Sequence, residues 1–324
     1  MSTALPVGIA ERRLAILMLT VDQPCNEALW TDWINESANK ARCTIYVNAK
    51  RPFTLRDTEH WQMIDRPVTD TQWGTCSLVL AHQALLRHAL AADSENKWFA
   101  LVSGDALPLM SLDMLIERLE RLPTSASCVG AMALRNDMCN LLMHAAQSLA
   151  DADQSIAAQN WWTATFASQH CDSEGTFCYI EPSLVKCHGQ FVLLSRQHAE
   201  WLVAMPECVA RDYDCLMAPH DNLNPFAADE VVVGTYLAWQ QRQREQSSAS
   251  DSSTLGLLLD LDAMLAPSSL DGQHAKMHRA FGRSWEHTMW RDDCWFFARK
   301  FSPLSARSVA QLKSLWRKRE LLFE

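Results

Sequence analysis

One carboxylate in the second half of the chain has the setting of a catalytic base. Glu230 lies in the segment NPFAADEVVVGTYLA, where a loop with a proline precedes an apolar helical pattern. Acidic residues in the first turn of a helix also stabilise it through the helix dipole, so a purely structural role explains the same pattern. The functional interpretation is a general base that projects into a cleft and deprotonates a substrate hydroxyl.

Two adjacent cations lie closer to the C-terminus. Arg299 and Lys300 occur in CWFFARKFSPLS, flanked by Phe296, Phe297 and Phe301. A solvated charged surface is not normally surrounded by aromatic residues, and cations held among buried aromatics commonly meet an anion. We therefore expect this pair to bind an anion, with a solvent-exposed charge pair as the alternative.

A further carboxylate follows an apolar run. Residues 98–109, WFALVSGDALPL, read as a buried strand and a turn of small residues, with Asp105 just past the end of the strand. Ligands of open α/β sheets bind at the carboxyl ends of the strands. Asp105 therefore either contributes to such a site or belongs to an ordinary turn.

Other motifs exclude several function classes. The pair Asp260 and Asp262 resembles the Asp-x-Asp that holds a metal in many nucleotide-sugar enzymes, but it lies in a leucine-rich run far from the first half of the chain, so we expect no metal there. The chain has no GxSxG, GxGxxG or GxxxxGK[ST] sequence, which argues against hydrolase, dehydrogenase and P-loop functions. Its 11 cysteines form no CxxC pair, which argues against a structural zinc site.

Composition and charge describe an ordinary folded protein. The 324 residues are 48% hydrophobic with a formal net charge of −9 and no long run of either sign. This argues against a nucleic-acid-binding surface. No apolar run is long enough for a membrane span, and the run at 14–20 is too short for a signal peptide. We therefore expect a cytoplasmic protein, or a lumenal one that lacks its targeting segment.

Alternating strands and helices must position the candidate residues. Strands are predicted at 13–21, 43–48 and 98–103, with helices at 26–39 and 77–91 between them and a loop at 52–72. This β-α-β order predicts a parallel sheet. Further helices are predicted at 111–122, 196–205, 228–243 and 305–322, and further strands at 128–134 and 189–195. No internal repeat or domain boundary is visible, so we predict a single α/β domain.

Four stretches, in this order, resemble one family. They are LAILMLTVDQPCNEALW (14–30), WFALVSGDALPLMSLDML (98–115), GQFVLLSRQHAEWLV (189–203), and ADE (228–230) with FARKFS (297–302). Together they resemble the core-2/I-branching β-1,6-N-acetylglucosaminyltransferases and the related peptide O-xylosyltransferases. The resemblance implies one GT-A-type domain over 1–324. Its Rossmann-like nucleotide-sugar half would span about 13–135, its acceptor and catalytic half about 136–304, and its C-terminal helix 305–324.

The resemblance also implies a reaction. Members of the family transfer a sugar from a UDP-sugar to a hydroxyl of a glycan or glycoprotein, invert the anomeric carbon and need no metal or other cofactor. In this chain Glu230 matches the catalytic base, and Arg299 and Lys300 match the basic pair that stabilises the leaving diphosphate. The resemblance implies N-acetylglucosamine or xylose as the donor sugar, and the matching motifs do not distinguish the two. The alternative is a non-catalytic nucleotide- or carbohydrate-binding protein that retains the fold.

The remaining donor contacts are implied by position. Thr20 and Val21, at the end of the first strand, match residues that contact uridine, and Asn48 stands where relatives have aspartate or histidine. Asp105 is expected to position the nucleotide-sugar. Arg279, in HRAFGRSW, is assigned to a donor phosphate or to the acceptor.

The acceptor site has the weakest sequence signal. The adjacent Trp161 and Trp162 are predicted to line it, with the core or a partner-binding surface as alternatives. Animal members of the family carry an N-terminal membrane anchor, a stem and lumenal disulfides, which have no clear counterpart in this sequence.

Overall fold

The computed structural model describes the chain in several ranges: 13–123, 125–128, 132–133, 186–207, 209–211, 213, 227–247, 258–259, 296–299 and 301–323. The helices are α1 (Glu27–Asn35), α2 (Cys76–Ala92), α3 (Leu112–Arg121), α4 (Arg196–Ala204), α5 (Val232–Ser247) and α6 (Ala306–Phe323), with short 3₁₀ helices at Lys40–Arg42 and Ala228–Glu230. The strands are β1 (Arg13–Thr20), β2 (Cys43–Ala49), β3 (Trp61–Met63), β4 (Asn96–Ser103), β5 (Leu107–Pro108), β6 (Ser127–Cys128), β7 (Met132–Ala133), β8 (Lys186–Cys187), β9 (Leu193–Ser195), β10 (Leu258–Leu259) and β11 (Phe297–Ala298).

The central sheet has seven strands in the order β10-β6-β9-β4-β1-β2-β3. The strands β3, β2, β1 and β4 are parallel neighbours, with Ile16 of β1 beside Ile45 of β2 and Ala100 of β4. Strand β9 runs antiparallel to both β4 and β6. This mixed α/β architecture with a mainly parallel sheet confirms the predicted fold class and is consistent with a GT-A-type fold.

The inner strands are mainly apolar and buried along their central residues. The side chains of β1 from Leu14 to Met18 are completely buried, as is most of β4. Parallel strands covered on both faces read as continuous apolar runs, and burial of each large aliphatic side chain contributes roughly 1.5–3 kcal/mol. The predicted strands 13–21, 43–48 and 98–103 are confirmed for this reason.

Several sequence predictions differ from the structure in detail. The predicted loop 52–72 contains β3, which pairs with β2. The predicted strand 128–134 is divided between β6, in the large sheet, and β7, which pairs with β8 in a separate ribbon. The predicted strand 189–195 is reduced to β9. These segments are two or three residues long in the structure, too short for period-2 alternation to define their ends.

A small separate ribbon joins a segment in the first third of the chain to one near its C-terminus. Strand β11 pairs antiparallel with β5, placing Phe297 opposite Pro108 and Ala298 opposite Leu107. Three buried indole N–H groups donate to carbonyl oxygens along the same segment, in the pairs Trp30 to Ala106 at 3.0 Å, Trp33 to Met110 at 2.7 Å, and Trp316 to Pro108 at 3.0 Å. The segment 106–110, which follows β4, is therefore fixed by β11 and by tryptophans of α1 and α6.

Within the described part of the chain, no helix is both long enough and apolar enough to cross a membrane.

Candidate active site

Glu230 lies in a tight turn immediately before α5. The 3₁₀ helix Ala228–Glu230 is followed by Val231, whose backbone angles (φ −129°, ψ −48°) separate it from the helix that begins at Val232. The prediction that a helix starts at residue 228 is therefore wrong by four residues. The carbonyl oxygen of Glu230 accepts a hydrogen bond from the main-chain N–H of His188 at 2.8 Å. This bond connects the turn to the segment that precedes β9. Glu230 is outside the first turn of α5, where helix-dipole stabilisation would explain it.

A second main-chain bond ties this turn to the start of α2. The N–H of Ala228 donates to the carbonyl of Gly74 at 2.8 Å. Gly74 has a φ of +77°, a conformation that a side chain disfavours. In parallel α/β units a crossover helix starts near the carboxyl ends of the strands, so the bond places the Glu230 turn at the edge where ligands bind.

The Glu230 carboxyl is partly buried, and its surroundings favour the neutral form. Partial burial raises the pKa of Glu230, and the nearby positive charge of Arg299 opposes this rise. A carboxylate with a raised pKa is a stronger proton acceptor than an ordinary surface glutamate. The local electrostatics therefore suit a general base.

Arg299 follows β11 and is held by residues that lie more than 100 positions earlier in the chain. Its guanidinium carbon lies 4.6 Å from the centre of the Phe191 ring, in a cation–π contact. Its Nη1 donates to Oε1 of Gln190 at 3.5 Å. Its buried Nε has no hydrogen-bond partner in the described part of the chain. The guanidinium is thus held by the Phe191 ring on one face and by Gln190 at Nη1. Its Nε–H can still donate a hydrogen bond.

Three carboxylates surround this cation. Burial lowers the pKa of Arg299, and the negative charges of Asp105, Glu230 and Asp229 oppose the change. Asp229 is 7% exposed, whereas Asp105, Glu230 and Arg299 are partly exposed. The structure therefore brings together Glu230, Arg299 and Asp105, which the sequence places in three separate stretches.

The position of Asp105 is set by both its backbone and its side chain. Its carbonyl accepts the N–H of Phe301 at 2.8 Å, which continues the contact between the β5 and β11 segments. Its Oδ1 accepts a short hydrogen bond from the hydroxyl of Ser103. The carboxylate is thereby oriented at the carboxyl end of β4.

The ends of β1 and β4 are in close contact beside Asp105. The N–H of Gly104 donates to the carbonyl of Leu19 at 2.8 Å, and the Thr20 hydroxyl donates to the carbonyl of Asp22 at 2.7 Å. A Cβ atom on Gly104 would lie 2.3 Å from the Thr20 hydroxyl oxygen. Val21 directly follows β1 and is 55% exposed. Thr20 and Val21 therefore lie at the predicted nucleotide edge, with Val21 accessible.

Asn48 has a structural role in this structure. Its amide oxygen accepts the N–H of Val68 at 2.8 Å and its amide nitrogen donates to the carbonyl of Val68 at 3.0 Å. The residue is 2% exposed. Asn48 thus fixes the loop that follows β3, and its predicted contact with the donor stays a prediction.

Four predicted site residues lie outside the described ranges. They are Lys300, Arg279, Trp161 and Trp162. Asp260 and Asp262 also lie outside them. Among the residues that the structure describes, no group of three His, Cys, Asp or Glu side chains could hold a metal ion.

Sequence reasoning missed four residues that build or flank the site. Gln190 and Phe191 hold Arg299, and His188 holds the Glu230 turn. Trp73 is 83% exposed and directly precedes Gly74 at the edge of the site. In the sequence, only a tryptophan-glycine pair within a polar loop marks Trp73. The roles of Gln190, Phe191 and His188 depend on partners far away in the chain.

Comparison with known proteins identifies the family. The family model described as "Core-2/I-Branching enzyme" matches residues 18–255, well over half of the chain. The matched region includes Thr20, Asp105 and Glu230 and ends before Arg299. A search of curated proteins finds no match. The match confirms the resemblance that the four sequence stretches suggested: the chain belongs to the core-2/I-branching enzyme family and is a glycosyltransferase.

Proposed function

We propose that the enzyme transfers N-acetylglucosamine or xylose from a UDP-sugar to a hydroxyl of a glycan or glycoprotein, with inversion and without a metal ion. The observation that carries the proposal is the electrostatic pairing of Glu230 with Arg299 at the carboxyl edge of the sheet. A base and a fixed cation in one cleft are the two groups that a direct displacement at an anomeric carbon requires.

In the proposed reaction Glu230 accepts the proton of the acceptor hydroxyl. The oxygen attacks the anomeric carbon from the face opposite the nucleotide, a glycosidic bond forms, and the bond to the diphosphate breaks with its electron pair remaining on UDP. Arg299 stabilises the negative charge that develops on the diphosphate. Proton loss from Glu230 to solvent then restores the base.

The charge balance of the cluster supports a role for a second cation. Arg299 faces the three carboxylates of Asp105, Asp229 and Glu230, so on its own it does not make the pocket positive. A diphosphate would be repelled unless further positive charge is present. We assign this charge to Lys300, next to Arg299 in the chain, and propose Arg279 as a further contact.

The donor is proposed to occupy the edge formed by β1 and β4. Val21 offers an accessible apolar surface to the uracil ring, and Thr20 lies directly beside it. Asp105 would accept hydrogen bonds from the ribose or the sugar, and Asn48 would contribute through the loop it holds.

The exposed indole of Trp73 suits an acceptor sugar. The carbon–hydrogen faces of a sugar ring pack well on the electron-rich face of an indole. The next residue, Gly74, is bonded to Ala228, two positions before Glu230. A sugar ring on Trp73 would therefore lie close to the proposed base, with Trp161 and Trp162 as further candidates.

A combined binding and turnover assay tests the proposal. Thermal-shift measurements with UDP, UDP-N-acetylglucosamine and UDP-xylose should show a rise in Tm for the true donor, because the ligand binds only the native state. Turnover should persist in EDTA and fall at least about 100-fold in Glu230→Gln, the lower end of the range expected for general-base catalysis.

Three outcomes would contradict parts of the proposal. Normal turnover by folded Glu230→Gln would remove the assigned base. Loss of turnover in EDTA, restored by Mn²⁺, would overturn metal independence. Binding of UDP without turnover of any UDP-sugar would leave a binding protein that has kept the fold.

A further inference from the structure

A buried histidine beside the candidate base has no part in the reaction proposed above. His188 is 4% exposed and lies between β8 and β9. We propose that His188 is the positioning residue of Glu230, holding the turn that carries the base and the helix that follows it. The inference deepens the proposed function, since it rests on the role assigned to Glu230.

His188 holds the chain on both sides of the carboxylate. Its main-chain N–H donates to the carbonyl oxygen of Glu230 at 2.8 Å. Its ring Nε2 accepts the N–H of Gly234 at 3.0 Å. The N–H groups of the first helical turn have no acceptor within the helix, so the imidazole satisfies one of these donors in α5. A single residue therefore fixes both the turn and the start of the helix.

The hydrogen bonds define the tautomer that this role requires. Nδ1 lies 2.7 Å from the carbonyl oxygen of Gly189, which only accepts, so Nδ1 carries the proton. Nε2 is then unprotonated and free to accept from Gly234. Burial lowers the pKa of His188 to about 4, so the neutral ring predominates at physiological pH.

Gly234 is shaped to receive the ring. A Cβ atom on this residue would lie 2.6 Å from Cδ2 of His188 and 3.3 Å from its Nε2. Any side chain would therefore push the ring away from the main-chain N–H. The histidine and the glycine form one matched contact.

The groups around the ring favour its neutral form. His82 of α2 is 2% exposed, and burial lowers its pKa to about 3, with the neighbouring His188 contributing to the same effect. Lys186, two residues before His188, also contacts α5, where its main-chain N–H donates to the Thr235 hydroxyl at 3.0 Å. Burial is the main cause of the low pKa of both imidazoles, so both rings are neutral in the folded protein at physiological pH.

A matched pair of variants separates the acceptor function from simple packing. In His188→Gln the side-chain oxygen can take the place of Nε2 and accept from Gly234. In His188→Asn the amide can reach the position of Nδ1 but is too short to reach Gly234. Both variants remain polar and neutral, so they differ mainly in the bond to α5.

Two readouts test the proposal, and one does not depend on activity. We expect kcat of His188→Asn to fall on the order of ten-fold or more with the KM for the UDP-sugar within about two-fold, and His188→Gln to recover most of kcat. Hydrogen exchange of the Gly234 amide should accelerate in His188→Asn and remain slow in His188→Gln. The Tm of each variant checks that it is folded.

The proposal is overturned if both variants keep wild-type kcat while Glu230→Gln is inactive. It is also overturned if both lose kcat equally, which would indicate ring volume as the cause. Should Glu230→Gln itself keep full turnover, the base has been misassigned, and Gly234 exchange alone then decides whether His188 holds the turn.

Discussion

The main-chain N–H of Phe301 donates to the carbonyl oxygen of Asp105 at 2.8 Å. This bond and the pairing of β11 with β5 place Arg299 beside the turn at the end of β4. The carboxylate of Asp105 accordingly acts on the guanidinium of Arg299. A cation near the end of the described chain is thus delivered to a carboxylate in its first third by backbone geometry.

Removal of the Arg299 charge should reduce turnover without loss of the fold. We expect kcat of Arg299→Ala to fall roughly 100- to 1000-fold, because a fixed charge at the leaving group is lost. Arg121→Ala is the control, since that side chain is 68% exposed and pairs with Glu117 on the surface. Steady-state rates with the UDP-sugar measure the effect, and equal losses in the two variants would contradict it.

The acid limb of the pH–rate profile should report Glu230. Burial raises the pKa of this carboxyl, so activity should decline with falling pH earlier than for an ordinary glutamate. Arg299 opposes that rise, so Arg299→Gln should move the acid limb to higher pH, whereas Arg299→Lys should leave it close to wild type. The profile of kcat/KM from pH 4 to 8 gives the result, and a limb that is identical in all three proteins would refute the pairing.

Close packing at Gly104 should make this glycine sensitive to substitution. In Gly104→Ala the new methyl group would lie 2.3 Å and 2.7 Å from the side-chain oxygen and Cβ of Thr20. We expect the free energy of unfolding in urea to fall by about 1–3 kcal/mol. Gly189→Ala is the matched control, since nothing lies within 4 Å of its added Cβ. Thr20→Gly should relieve the loss in the double variant, and additive losses would exclude a steric cause.

Buried neutral histidines should make the fold sensitive to acid. Burial lowers the pKa of His82 to about 3 and those of His188 and His198 to about 4. The unfolded chain binds protons near pH 6.5 and the folded chain does not, so stability is full above that pH and is lost as pH falls toward 4 and 3. Each histidine accounts for roughly 3–5 kcal/mol over the whole range.

Urea unfolding between pH 7 and 5 measures this effect above the range in which most carboxylates titrate. We expect the urea concentration at the unfolding midpoint to decrease steadily as the pH is lowered in the wild type. The decrease should be smaller in His188→Gln, which removes one titrating group. A midpoint that does not change over this range would contradict the prediction.

Trp73 should affect substrate use and leave stability unchanged. Because its side chain is 83% exposed, Trp73→Ala should keep the free energy of unfolding within about 0.5 kcal/mol. We expect KM for the acceptor to rise on the order of ten-fold, and Trp73→Phe to lie in between, as loss of an aromatic contact predicts. Acceptor and donor titrations distinguish the roles: a change confined to KM for the UDP-sugar would assign the indole to the donor.

The sheet was predictable because its signal is local. The runs 13–21 and 98–103 are apolar at successive positions, and buried parallel strands require this whatever their partners are. One helix cap is local in the same way: the Ser111 hydroxyl accepts the N–H of Met114, three residues further on, at the start of α3.

The site was predictable only where residue type itself indicates chemistry. Arg299 and Glu230 stand out as charges in apolar surroundings. Gln190 contacts Arg299 across 109 positions, and no periodicity connects the two. Asn48 shows a role that residue type does not indicate, because its amide bonds to the backbone of Val68, 20 positions further along the chain.

The ribbon of β5 and β11 also sets an order of events during synthesis. The indole of Trp316 bonds to Pro108 across 208 positions, and Leu304 bonds to Asn26 across 278. A polypeptide emerges from the ribosome N-terminus first, so β1 to β4 can pair before these partners exist. Closing so long a loop is entropically costly and comes late in folding. The nascent chain would therefore assemble β1 to β4 well before Arg299 reaches the turn at Asp105.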